Sequence, residues 1–543
     1  MNHLTNRPQL LWLALLLAGS LVGCETERGR EQVIELSDEA KSGGMAIVCY
    51  PIDIGGLSAF VSPELASADV QLLLFTPLVL YGESGEFRPY LASEWRWEAD
   101  QRRLILTVRD DVVWHDGTPL TVEDVAWTLA AAGEPEYAYW GGGDFFALQE
   151  VTVLDSVTLE VSFSDPMVAG VEPLVTLPIL PRHLLEDVPA AEFAQAEYHR
   201  APVGSGPYRF AGRRPDGAIV FERFETFPQD LGRPFLDRIV LRPITESTTM
   251  MAELETGGVD MCVAGSSLAT RAEESERLRV VALEPAQTQV IPLNTREVPL
   301  DDGRVRRAIS AALQRSEIAA ATSPVARPAV SPVPEASPYF DPEFLQPDDD
   351  RDLAASLLDS AGWTVSGDRR VNAQGEQLRF TLLAPQGMET SLTVVQAQLR
   401  RVGVQTDLRF MEWTSYVGVL QSPEDRPAAM ALGFSPEKIF SPAADLHSEF
   451  HSEGFSNLGS YSNAVVDSLL ELLNTPLSPD ERREIYSEIQ GRVAEDVPML
   501  FVINVPRLAI VGSRLQGMEA DLNGPFVSAG RWWIPATERR GGG

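Results

Sequence analysis

The stretch Val113-Trp114-His115-Asp116-Gly117-Thr118-Pro119-Leu120-Thr121-Val122-Glu123-Asp124-Val125 contains a turn followed by a helix entry. Asp116-Gly117 supplies the bend, because aspartate bonds its own backbone two residues on and glycine accepts a positive φ. Thr121 is an N-cap residue, and Asp124 stands three positions later, where a carboxylate can answer the cap. Val125, Leu129 and Ala130 then share one face, which predicts a helix packed on a core. Just upstream, Leu104-Ile105-Leu106-Thr107-Val108 is apolar and β-prone. A strand, a tight turn and a capped helix together are the unit of an α/β layer.

The same alternation continues on both sides. Met45 to Tyr50 reads as a first buried strand, and further strands are predicted over Thr158 to Ser164, Ile219 to Phe224, Arg238 to Arg242 and Arg379 to Ala384. Helices are predicted over Asp350 to Ala361, stopped by Gly362, and over Thr390 to Arg401, ending at Gly403. Ser478-Pro479-Asp480-Glu481 combines an N-cap, a first-turn proline and a capping-box glutamate, and launches a helix that stops before Pro498. Pro324 to Pro338 is too proline-rich for a helix or a central strand and reads as a long surface loop. At 543 residues the chain exceeds one ordinary domain.

Arg7 followed by the apolar run Leu10 to Val22 has the form of a signal peptide, too short for a comfortable membrane span. Leu21-Val22-Gly23-Cys24 resembles a bacterial lipobox, which makes Cys24 the expected lipidated first residue after loss of residues 1–23. Residues 24–44 read as a flexible tether. Glu25 follows the cysteine, so sorting to an outer membrane stays open. The formal net charge of −34 argues against a phosphate-neutralising nucleic-acid surface, and the scarcity of lysine, with Lys41 and Lys438 the only two, reads as genome bias. Cys49 and Cys262 lie in apolar segments. The reading favours two separately buried thiols, with a disulfide permitted in an oxidising compartment.

Signatures of catalysis are missing from the sequence. The mature chain has no Gly-x-Ser-x-Gly elbow and no Walker A loop. Val203-Gly204-Ser205-Gly206-Pro207-Tyr208 is glycine-rich, but Pro207 blocks the helix start that a phosphate cradle needs. His447 and His451 are four apart, as zinc ligands on a helix would be. They lack the protease pattern and a third ligand, so they read as surface or satisfied histidines. No metal and no cofactor is expected.

Ordered segments then carry a resemblance. Phe75-Thr76-Pro77-Leu78-Val79-Leu80-Tyr81, Pro89 to Trp95, the opening stretch itself, Pro202 to Tyr208, Leu236-Asp237-Arg238-Ile239, Asn294-Thr295-Arg296 with Val305 to Ile309, Ser360 to Trp363 and Asn457 to Asp467 together resemble extracellular solute-binding protein family 5. These are the peptide-, dipeptide- and nickel-binding receptors of ABC importers. The resemblance implies an α/β, two-lobed periplasmic binding protein of type II with an extra subdomain inserted in lobe one. The expected boundaries are 45–285 for lobe one, with the insert at about 82–200, then 286–497 for lobe two, and 498–540 returning to lobe one. The implied protein is monomeric and lipid-anchored in the periplasm or at the outer face of the cell membrane. It captures a peptide or other small solute and hands it to permease subunits. A hydrolase, a non-transport receptor or a binder of a non-peptide ligand on the same scaffold are the alternatives.

The ligand-binding candidates are Tyr50, at the end of the first strand where open α/β sheets place ligands, and Asn294, Trp413, Phe434 and Tyr461, which lie at or beside the motifs. For each, core packing is the competing role. The family's ammonium-binding aspartate lies in a Trp-containing, Asp-Pro-Asp-like stretch. Here Phe434 stands at the Trp position and Ser441-Pro442-Ala443 replaces the acidic triplet. Glu437 or Asp445 is the candidate substitute.

Overall fold

The computed structural model describes residues 37–540, apart from 53, 55, 59, 62–64, 83–85, 140, 168–169, 421, 423–425, 435–441 and 476. Cys24, the signal segment and Glu437 lie outside the described residues, as does the Phe434 side chain.

Strand β1 (Met45–Tyr50) occupies the centre of the large sheet of lobe one, and helix α1 (Leu65–Leu74) follows it. β1 is parallel to Arg238–Pro243 on one side and to β2 (Met261–Ala264) on the other. Beyond β2 come β3 (Leu278–Pro292), then helix α2 (Ala443–Phe450) in lobe two, and β4 (Met499–Gly512) returning to the sheet. Across the sheet the order is Leu432–Phe434, β3, β4, β2, β1, Arg238–Pro243, Ile219–Arg223 and Tyr208–Arg213. The inserted subdomain carries an antiparallel sheet in the order Ala92–Trp97, Arg103–Val108, Thr158–Phe163, Leu148–Val153. Its two middle strands bury alternate residues, as a sheet with one face on a core must. Lobe two has a parallel sheet of Gln405–Met411, Arg379–Pro385 and Ala429–Met430, with cores of its own.

The capped helices form where their signals stand. Val122–Gly133 follows a capping box of Thr121 and Asp124, and Pro479–Asp496 follows one of Ser478 and Glu481. Asp124 also accepts from the Arg182 amide at 2.9 Å, so the cap ties a neighbouring segment to the helix start. Two sequence motifs clasp each other. The amides of Ser205 and Gly206 both donate to the Leu74 carbonyl at the end of α1, at 2.9 and 2.8 Å. His115 bridges the same loop: its Nδ1 accepts from the Gly204 amide at 3.1 Å, and its Nε2 lies 3.0 Å from the Gly206 carbonyl oxygen. That geometry requires the neutral imidazole protonated on Nε2.

Burial holds the His115 pKa down to about 4, against 6.5 for a free imidazole. Between these values the unfolded chain binds the extra proton, so stability falls as pH drops from about 6.5 towards 4. The slope contributed is at most one proton, about 1.4 kcal/mol per pH unit. Urea unfolding midpoints followed across this window should show the slope, and His115→Gln should remove about one proton from it. An unchanged slope in the variant would disprove the assignment.

Two readings need correction. Cys49 and Cys262 are not separate thiols: they form a disulfide across the neighbouring strands β1 and β2, whose register sets them opposite each other. The bond spans 213 residues of chain, and closing so long a loop restricts the unfolded state by roughly 2–5 kcal/mol. The tether also ends sooner than 44. Asp38–Lys41 forms a helical turn capped by Ser37, and the Gly43 and Gly44 amides are held by the Phe235 carbonyl and the Asp237 carboxylate. Local polarity suggested a loose chain, whereas these hydrogen bonds from lobe one dock it.

Candidate ligand-binding cleft

β3 and β4 run antiparallel from Leu278 opposite Gly512 to Pro292 opposite Met499, with a register break between Leu283 and Gln287. On one side of the break, Leu283, Ala509 and Val511 pack in the core of lobe one. On the other, Ile291, Leu500 and Val502 pack in lobe two. The chain therefore crosses between lobes on a pair of adjacent strands, joined below the break by Thr288 Oγ donating to Asn504 Oδ1 at 2.7 Å.

Two cavities open beside this crossing. One, of about 330 Å³, is walled by Ala286, Thr288, Asn504 and Phe501 and by the proline-rich segment 327–336. The other, of about 140 Å³, lies against α1 and is lined by Asp69, Gln71, Tyr81, Thr176 and Arg507. Glu284 and Leu522 line both, so the two meet at the register break. A wider depression of about 650 Å³ sits beside Gly43 and Gly44 at the far end of the sheet. Its Arg223 and Arg238 are paired with Glu222, Glu225 and Asp237, and it does not lie between the lobes.

The smaller cavity has a charged wall. Asp69 is buried and takes both terminal nitrogens of Arg507, at 2.7 and 3.0 Å. Its Oδ2 also accepts from the Tyr50 hydroxyl at 2.8 Å. Burial, and then the Asp69 charge, push the Tyr50 phenol well above its ordinary range. Tyr81 donates to Glu172 at 3.1 Å and is raised first by burial and then by Glu172. Asp144 and, from α2 in lobe two, Asp445 add to that effect. Asp445 and Glu449 stand one turn apart on α2, and burial with the Asp445 charge lifts Glu449 to about 8. At the hinge, Arg327 pairs with Glu284, whose other oxygen accepts from the Ala286 amide at 2.8 Å.

Of the ligand candidates, Tyr50, Asn294, Trp413 and Tyr461 line neither cavity, and the structure does not bring these four together. Tyr50 is nearest, one hydrogen bond behind the wall through Asp69. Tyr461 is buried in lobe two and donates to Asp496 at 2.6 Å beside Asn463. Asn294 caps a turn by accepting from the Arg296 amide at 3.1 Å. Trp413 is 59% exposed and stacks on Tyr416 at the edge of lobe two. Phe434 ends a strand paired to β3 at Thr288. His447 and His451 stack their rings 4.3 Å apart, and among the described residues no group of three or more potential ligands could hold a metal.

Reasoning from the sequence missed Asp69, Gln71, Glu284, Asn504 and Arg507. Some of these carried a signal. Asp69 and Gln71 interrupt an otherwise apolar helix, and Asn504 and Arg507 interrupt the apolar run of β4. Polar side chains in such runs are costly unless partnered, so they mark either an ion pair or a site.

The chain matches the profile of the bacterial extracellular solute-binding proteins, family 5 (middle), over residues 86–455. It belongs to that family. Among family 5 relatives it is 24% identical over 540 residues to the oligopeptide-binding protein AppA of Bacillus subtilis (strain 168), covering 97% of this chain and 98% of that one. It is 22% identical over 482 residues to the nickel-binding periplasmic protein of Escherichia coli (strain K12), covering 85% and 89%. Its fold is similar to the ABC transporter substrate-binding protein CtaP of Listeria monocytogenes, with a TM-score of 0.81 at 21% identity, covering 91% of this chain and 100% of that one. It is also similar to Bacillus subtilis AppA in complex with a nonapeptide, with a TM-score of 0.71 at 23% identity and coverage of 91% and 99%. The two-lobed α/β architecture expected of family 5 is the one these neighbours share.

Proposed function

We propose that this chain is the receptor of an ABC importer, capturing a peptide between its lobes and passing it unaltered to permease subunits. The observation that carries this is the paired β3–β4 crossing with two cavities meeting at its register break. A two-strand connection can bend as a hinge, and a guest seated beside it favours the closed state by touching both lobes at once. In this reading residues 45–285 and 498–540 make lobe one, with the insert at about 82–200, and 286–497 make lobe two. A lipid on Cys24 holds a monomer in the periplasm or at the outer face of the membrane. Peptide as the guest is supported by the oligopeptide-binding relative and by the polar hinge groups Thr288 and Asn504. Asp445 is retained as a substitute for the missing acidic triplet, since its charge reaches Tyr81 on the opposite lobe.

Native mass spectrometry of protein purified from its own host tests the reading. A co-purified peptide, released intact on unfolding, is the expected result. Conversion of added peptides into new products would instead establish the hydrolase alternative.

A further inference from the structure

Gln71 is 5% exposed and lines the smaller cavity. Its amide nitrogen donates to the Thr176 carbonyl at 3.1 Å, which fixes the orientation of the group, since a flipped amide would set oxygen against oxygen. Oε1 is left buried, and no donor among the described residues reaches it. A buried acceptor without a donor is costly, and in native structures such an atom generally has a partner.

Arg507 presents the opposite need. Its two terminal nitrogens each give one N–H to Asp69, at 2.7 and 3.0 Å. A guanidinium carries five N–H groups. The one on Nε and one on each terminal nitrogen have no acceptor among the described residues. The guanidinium is partly exposed and lines the same cavity. Helix geometry sets the two features apart. At roughly 100° per residue, the order around α1 is Gln71, Ala68, Leu72, Asp69, and all four line the cavity. Ala68 and Leu72 thus make an apolar floor. An open acceptor runs along one edge of it, and the open donors of Arg507, held by Asp69, run along the other.

Resting on the peptide reading above, we infer that this cavity is a subsite for a neutral side chain that both donates and accepts, the carboxamide of a glutamine or asparagine in the guest. A carboxamide carries its donor and its acceptor on separate atoms, so it can meet both edges at once. Its nitrogen would give to Gln71 Oε1, and its oxygen would take from Arg507. A hydroxyl has a single oxygen for both tasks. An ammonium would leave the Arg507 donors unmet, a carboxylate would leave the Gln71 oxygen unmet, and an apolar side chain would leave both. The stem would lie along Leu80, Val175 and Leu522, and the main chain would occupy the larger cavity beyond Glu284.

Isothermal titration calorimetry of the full chain in detergent tests this with alanyl-glutaminyl-alanine, alanyl-glutamyl-alanine and alanyl-methionyl-alanine. Their middle side chains are similar in length and differ in what they donate and accept. The glutaminyl peptide should bind at least tenfold more tightly than either of the others. Gln71→Met, which keeps the length of the side chain and removes the acceptor, should bring the glutaminyl-to-methionyl ratio below threefold. The peptide series on the wild-type protein decides the matter even where that variant does not fold. Equal affinities for the glutaminyl and methionyl peptides would overturn the inference, show that water alone fills the cavity, and leave the peptide reading intact. A glutamyl peptide that binds as tightly as the glutaminyl one would overturn it too, because Arg507 alone would then read the side chain. So would a folded Gln71→Met protein that keeps the wild-type ratio. Binding by none of the three would overturn the peptide reading itself, and the inference with it.

Discussion

Gly204→Ala is expected to abolish the folded protein, at a cost above about 4 kcal/mol. A Cβ at this position would lie 1.8 Å from the Leu74 carbonyl oxygen and 2.7 Å from its carbon, both backbone atoms that cannot rotate away. The obstacle is also the acceptor that holds the loop, because the same oxygen takes the Ser205 and Gly206 amides. Relieving the clash would therefore break the end of α1 and withdraw the Gly204 amide from His115. One methyl group thus acts on the helix, the turn at Asp116 and the strand that follows. Soluble yield and the thermal midpoint measure the effect, with Gly418→Ala as the control. That site has open space around it and lies inside the helix Trp413–Leu420, so alanine there should be neutral or stabilising by up to about 1 kcal/mol. A Gly204→Ala protein that melts with the wild type would show that the two motifs do not depend on each other.

This clasp also shows which parts of the fold were legible. Turn and cap chemistry is local: Asp116-Gly117, Thr121 with Asp124, and Ser478 with Glu481 form the turns and helix starts that their residue types predict. Strand parity was legible too, and β1 spans Met45–Tyr50 as read. The register between strands is not a local property. Nothing near Cys49 or Cys262 announces that β1 and β2 are parallel neighbours aligned on those two residues, and the disulfide follows from that alignment. The partners of aromatic residues beside motifs are not local either: Tyr50 and Tyr461 are each buried with the hydroxyl on a carboxylate that lies 19 or 35 residues away in sequence. The more useful clue was an inconvenient residue in an apolar run, which is how Asp69, Gln71 and Arg507 read once the cavity is known.

Arg507→Met should destabilise the protein by about 3 kcal/mol, the lower end of the usual effect of breaking a buried pair, because water reaches one side of the guanidinium. Among the described residues, the variant leaves the buried Asp69 with the Tyr50 hydroxyl as the one side-chain partner to meet its charge. The carboxyl must then take up a proton or draw in water, and either outcome disturbs the wall between α1 and β4. Adding Asp69→Leu removes the stranded charge, so the double variant should recover most of the loss, and the coupling energy from the four proteins should exceed about 1.5 kcal/mol. Urea denaturation of wild type, both single variants and the double variant supplies the cycle.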